Sequence, residues 1–292
     1  MDLLLLLVLF APFSVQAMAF KEFNRSFMKN LRSYFVFNTL YTGIVALFFF
    51  IVNGGRLAAH ASTIVTGVSF GICTVITVLF YMKAMENGPL AYTSLLYAFA
   101  IIVPVILDVI VWKISISLLQ VGGLLLLLAS FYIGSGTSGG EQAKLKLKWL
   151  LLCITALATN GLNMFCNRTQ QIMTPGREIN EFLIYGFGTA ALISSGLFIF
   201  DSLKTKADVS MLKSRRFAAI VAAVVFVTAT GNILTCYLAG KFTAVVLFPT
   251  TSAGLIASNA VLSVLIFKEK LSRGAMLGLC IGICSIVLLG MK

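Results

Sequence analysis

Ten stretches of mostly apolar residues run along the chain, separated by short polar breaks. Each is close to the roughly 20 residues that an α-helix rising about 1.5 Å per residue needs to cross a hydrocarbon core of about 30 Å. The pattern predicts helices at Leu3 to Ala19, Ser33 to Val52, Ser62 to Met82, Pro89 to Trp112 and Ile114 to Ile133. After a break these are followed by Lys148 to Phe165, Phe182 to Phe200, Phe217 to Ala239, Thr243 to Phe267 and Gly274 to Leu289. Barrel strands would be half as long and would alternate apolar with polar residues. The expected fold class is therefore an all-α membrane protein.

Five runs precede the small polar linker Ser135 to Gln142 and five follow it, and the second set repeats the spacing of the first. Ala84 to Ser135 aligns with Ala239 to Gly290 without a gap, placing Lys113 on Lys268, Ser117 on Ser272 and Gly123 on Gly278. Phe35 falls on Phe182, with the difference in length absorbed by the charged stretch Asp201 to Arg216. Because five is odd, the second copy enters the membrane in the opposite orientation. The expectation is ten transmembrane helices as two inverted five-helix repeats, residues 1–136 and 148–292 joined by a linker at 137–147, in a single transmembrane domain.

Composition agrees with a bilayer as solvent. Of 292 residues, 59% are hydrophobic and 11% charged, with a mean hydropathy of +1.00, which excludes an ordinary water-facing globule. The net charge of +12 sits mainly in the breaks after the odd-numbered runs: Lys21, Arg25, Lys29 and Arg32, then Lys144, Lys146 and Lys148, then Lys204 to Arg216, then Lys268, Lys270 and Arg273. The positive-inside rule makes those loops cytoplasmic and puts both termini outside, in the plasma membrane of the cell. The charge is thus a signal of topology and of attraction to anionic lipid, and no nucleic-acid partner is expected.

Leu3 to Phe10 also resembles the apolar core of a signal peptide, with Ala17-Met18-Ala19 as a cleavage site, but a basic leader is missing and the repeat needs the helix, so it is expected to be retained. Six cysteines, Cys73, Cys153, Cys166, Cys236, Cys280 and Cys284, fall inside expected helices without metal-like pairing and read as packing residues. No metal or cofactor is expected. One loop histidine, His60, and scattered acids supply no nucleophile with its base, so the chain is not expected to be an enzyme.

The two-by-five layout, the break Lys83-Ala84-Met85-Glu86-Asn87-Gly88-Pro89, and the ending Phe267-Lys268-Glu269-Lys270-Leu271-Ser272 before a glycine-bearing helix resemble the drug/metabolite transporter superfamily, in particular its EamA-type branch. The likeness spans nearly the whole chain and is sharper in the second half: Trp112-Lys113-Ile114-Ser115-Ile116-Ser117 lacks the acid that Glu269 supplies there. It implies a secondary transporter that moves a small polar or amphipathic metabolite by alternating access. Two alternatives stand beside that reading: a receptor or assembly protein without transport on the same fold, and a proton-coupled drug exporter. The small multidrug branch uses a membrane-embedded glutamate in its first helix, where this chain has Gln16 and no central acid.

In an inverted-repeat carrier the substrate sits near the bilayer midplane, against polar groups too costly to leave facing lipid. The candidates are Gln16, Tyr97, Asn160, Asn163, Thr228, Asn232, Thr250, Thr251, Ser252 and Asn259. Asn160 and Asn163, three apart, share one helical face and form the leading pair, although polar residues also serve as glue between helices. Pro104 and Pro249 are expected kinks. Asp108, the one acid well inside an expected helix, is the candidate for proton coupling, with the alternative that water or Lys113 at the helix end keeps it charged without any transport role. Gly274, Gly278 and Gly282 form a smooth stripe that suits either packing within a monomer or a homodimer seam.

Overall fold

The computed structural model describes residues 5, 8–28, 30–87, 93, 96–134, 147–203, 210–267 and 273–290, without the side chains of 17, 21, 85, 86, 134, 256, 257, 259–267, 273, 275, 279, 286 and 290. The linker after Ser135, the Gly88-Pro89 break and the ending Lys268 to Ser272 lie outside these residues.

Among the described residues every regular element is helical. The α-helices are α1 (Phe10–Ser26), α2 (Leu31–Val52), α3 (Ala61–Asn87), α4 (Ile102–Trp112), α5 (Leu118–Gly134), α6 (Leu147–Met173), α7 (Ile179–Ser202), α8 (Arg215–Ala239), α9 (Ala244–Phe267) and α10 (Arg273–Gly290), with 3₁₀ turns at Phe99–Ile101 and Ser210–Lys213. Five stretches, Leu31–Val52, Ala61–Ala84, Leu147–Met173, Ile179–Ser202 and Arg215–Ala239, are long and apolar enough to cross a membrane. Large apolar side chains such as Ile51, Leu192 and Phe226 stand exposed on these helices, as they do where lipid covers the surface.

Local chemistry starts and stops the helices where charge enters the sequence. Asn30 caps α2 by accepting the Ser33 N–H at 3.0 Å, and Ser214 caps α8 through the Phe217 N–H. Lys113 ends α4 in the left-handed region at φ 55, with its N–H on the Asp108 carbonyl. Several boundaries move from their expected places, among them the end of α3, which runs on to Asn87 rather than Met82. α1 runs on to Ser26. α6 continues past Phe165 to Met173 because its polar stretch, Asn167, Arg168, Gln170 and Gln171, is buried inside the bundle.

Packing follows a regular scheme: α3 lies on α6 and α7, α1 and α2 lie on α8, α2 lies on α7, α5 on α10, and α4 on α9. Backbones meet where glycine removes the side chain. A Cβ on Gly71 of α3 would stand 2.3 Å from the Gly186 carbonyl of α7, and one on Gly67 would stand 3.0 Å from the Phe182 carbonyl. The α10 stripe is occupied within the chain: Ser130 of α5 donates to the Gly278 carbonyl at 2.6 Å, and its Oγ is 3.0 Å from where a Cβ on Gly282 would be. A homodimer seam on Gly278 and Gly282 would have to displace α5.

The two expected kinks differ. Pro249 sits inside the continuous α9. Pro104 lies in the first turn of α4, just after the 3₁₀ turn; it has no N–H to offer the Ala100 carbonyl. Gly161 of α6 fits beside that carbonyl, where a Cβ would come within 2.7 Å. All six cysteines are free thiols, with Cys153 and Cys236 buried and Cys280 and Cys284 exposed.

Candidate functional site

The helices enclose a cavity of about 500 Å³. Each helix from α1 to α9, or the chain just before it, contributes to its wall. Gln16 and Phe13 come from α1, Tyr41 from α2, Thr74 and Phe70 from α3, Tyr97 and Ile101 from the approach to α4, and Phe131 from α5. The opposite side is built from Asn160, Asn163 and Asn167 of α6, Phe187 of α7, Thr228, Asn232 and Thr235 of α8, and Phe248, Thr251 and Ser252 of α9. Polar side chains in an apolar bundle are expensive unless they meet one another or a guest, and here they gather on one space.

Several are held in place by each other. Gln16 Nε2 donates to Thr228 Oγ1 at 2.7 Å, joining the first helix to the second half of the chain. Asn163 Nδ2 donates to Thr74 Oγ1 at 2.7 Å, and Asn232 Nδ2 donates to its own helix at the Thr228 carbonyl, 2.9 Å away. Thr251 returns its hydroxyl to the Leu247 and Phe248 carbonyls of its own helix. The Tyr97 ring lies against Tyr81 with centroids 4.6 Å apart.

Of the candidates read from the sequence, Gln16, Tyr97, Asn160, Asn163, Thr228, Asn232, Thr251 and Ser252 therefore meet at the cavity. Thr250 is buried but does not line it; one residue of α-helix turns it about 100° from Thr251. The side chain of Asn259 lies outside the described residues.

Asp108 is also absent from the cavity wall. It forms an ion pair with Arg168 of α6, Oδ2 to Nε at 3.4 Å, both side chains being buried. The ion-pair partner is thus not the expected neighbour Lys113 but Arg168, a buried residue of α6 rather than of a loop.

Four polar lining residues, Tyr41, Thr74, Asn167 and Thr235, escape the sequence pattern. Tyr41 and Thr74 look like ordinary interior residues of apolar helices. Asn167 lies beyond the expected end of its helix, yet the spacing Asn160, Asn163, Asn167 keeps to one face and was the available signal.

His60, the loop histidine, is exposed but not free. It binds Glu178 through Nδ1, while its backbone N–H and the Thr63 hydroxyl reach Glu178 Oε2 at 3.0 and 2.5 Å. Burial raises the pKa of this carboxyl, but those hydrogen bonds outweigh it and hold the group below its ordinary value of 4.5. The contact ties the loop between α2 and α3 to the one between α6 and α7. At the opposite end Arg32 pairs with Asp201 at 2.5 Å and Arg216 with Glu22 at 2.6 Å.

A helical bundle with apolar spans, around a half-open and largely apolar cavity into which amides and hydroxyls gather, defines the class, a helical membrane protein. Among solved structures, 27 chains match this fold. One, described only as "Crystal structure of protein", superposes with a TM-score of 0.73 over 99% of this chain and 98% of that chain, at 14% identity. No family model matches the chain, and no curated protein does.

Proposed function

We propose that the protein is a secondary transporter of the drug/metabolite type, built as two inverted five-helix repeats and moving a small polar or amphipathic metabolite by alternating access. The observation that carries this is the cavity itself, lined by amides and hydroxyls from helices of both halves and bridged across them by Gln16 and Thr228.

The packing scheme supports the repeat. Exchanging each helix with the one five places on turns α3 on α6 into α8 on α1, α3 on α7 into α8 on α2, and α4 on α6 into α9 on α1, and all of these pairs are in contact. The pairs α2 with α7, α4 with α9 and α5 with α10 exchange into themselves. The heaviest pairs keep that rule, while α9 with α10 exchanges into α4 with α5, which are not a packed pair among the described residues.

The end bearing the even-numbered loops is closed by polar ties, His60 with Glu178 and Asp108 with Arg168. In this reading that end faces outward and the basic loops face the cytoplasm of the plasma membrane. Asp108 is engaged in a clamp outside the cavity, so proton-coupled export through it gains no support.

Purified protein in liposomes tests the reading. Counterflow of a labelled metabolite is the expected result; binding without flux would make the protein a receptor. Sidedness is checked by single cysteines placed near Lys146 and near Thr174, at the exposed Gly176, which should label from opposite sides, the second from outside.

A further inference from the structure

The cavity identifies the chemistry of its guest, on the premise that the protein is a carrier. Its described lining residues bear no formal charge. The buried charges of Asp108 and Arg168 are spent on each other, on the Ala244 N–H and on the Ala239 carbonyl. A carboxylate, phosphate or ammonium group entering this space leaves its water without meeting a counter-charge, which costs several kcal/mol. The lining therefore favours an uncharged solute over a zwitterionic amino acid or a phosphate ester.

Gln16, Asn163 and Asn232 each spend one of their two amide N–H groups on a protein acceptor, which leaves each a carbonyl oxygen to accept and a second N–H to donate. Asn167 is only 3% exposed, lines the cavity, and has a buried Oδ1 with no partner. An unpaired buried acceptor is costly, and a guest with N–H or O–H donors removes that cost. Around these amides stand aromatic rings from α1, α2, α3, α5, α7 and α9 and from the approach to α4, whose faces suit a flat ring. A volume of about 500 Å³ is within the range of pockets that hold small organic ligands.

We infer that the cavity binds an uncharged nucleoside-like solute: a flat heteroaromatic ring held between aromatic walls, with its N–H and O–H donors on the amide oxygens of Gln16, Asn163, Asn167 and Asn232.

The test uses the full chain, in proteoliposomes for counterflow and in detergent for thermal shift, with adenosine, adenosine monophosphate, phenylalanine and glucose as probes. Adenosine should exchange and raise the melting temperature. The monophosphate and phenylalanine should be weaker by about tenfold or more. Asn167→Ala should weaken adenosine binding about tenfold, the loss of roughly one hydrogen bond, in protein that still elutes as a folded species; Asn163→Ala reports the same if that variant does not insert. Faster exchange of phenylalanine or the monophosphate overturns the inference and leaves the carrier reading standing. Glucose exchange without adenosine also overturns it. Flux of no probe, together with a thermal shift by adenosine, sinks the carrier reading alone, and no shift by adenosine sinks the inference whatever the flux.

Discussion

Asp108 and Arg168 face each other inside the bundle with Oδ2 and Nε 3.4 Å apart. Both ends of the pair hold the turn between α8 and α9: Arg168 donates to the Ala239 carbonyl, and Asp108 Oδ2 accepts the Ala244 N–H at 3.0 Å. Asp108→Ala leaves a buried guanidinium without its carboxylate and should lower stability by about 3–5 kcal/mol. Replacing both residues, Asp108→Leu with Arg168→Met, should recover most of the loss, because an apolar pair needs no desolvation. Denaturant unfolding in detergent micelles compares the two, and an equal loss in both would show that the pair is not the reason.

The α3 and α7 crossing makes a steric prediction. At Gly71 a Cβ would meet the Gly186 carbonyl at 2.3 Å, and backbone cannot step aside as a side chain can. Gly71→Ala should cost about 1–3 kcal/mol. Gly188→Ala on the same α7 has nothing within 4 Å and should be neutral or should stabilise by about 0.5–1 kcal/mol through helix propensity. Melting temperatures of the two variants give the comparison directly.

Transport should depend on the amides. Asn163→Ala and Asn232→Ala are expected to lower the initial rate by about tenfold each, at near-normal membrane insertion, since each removes one hydrogen-bonding group from the cavity. Thr228→Val should do the same indirectly by releasing Gln16, whose amide rests on the hydroxyl it deletes. Normal rates in all three would put the site elsewhere.

Acid should loosen the contact between the loops. Glu178 has its folded pKa below its unfolded value near 4.5, so its contribution is present above that value and is lost as the pH falls through the lower, folded one. The group is partly exposed, so the contribution is below about 1 kcal/mol. The protection of the Thr63 and Ile64 amides, taken relative to their intrinsic exchange rates at each pH, should fall below about pH 4.5 in the native protein, and Glu178→Gln should remove that dependence.

The helices were legible because lipid outside and packing inside both call for apolar side chains, which leaves long unbroken runs. Their ends were less so. α6 outran its apolar run because Asn167, Arg168, Gln170 and Gln171 find burial and partners in the bundle, which local composition cannot show. The same holds for the site. A lone Gln16 or Asn232 in an apolar run is conspicuous, whereas Tyr41 and Thr74 are not, and the partner of Asp108 lies far along the chain. Thr250 was expected at the cavity from composition alone and was turned from it by the helical period.

A wall without charge also determines what the cavity's work does to the membrane. Moving one elementary charge through a potential of about 100 mV changes its free energy by about 2.3 kcal/mol, and a neutral solute in a neutral chamber changes by none. If the protein carries an uncharged solute with no coupled ion, that traffic is electrically silent and indifferent to the resting voltage.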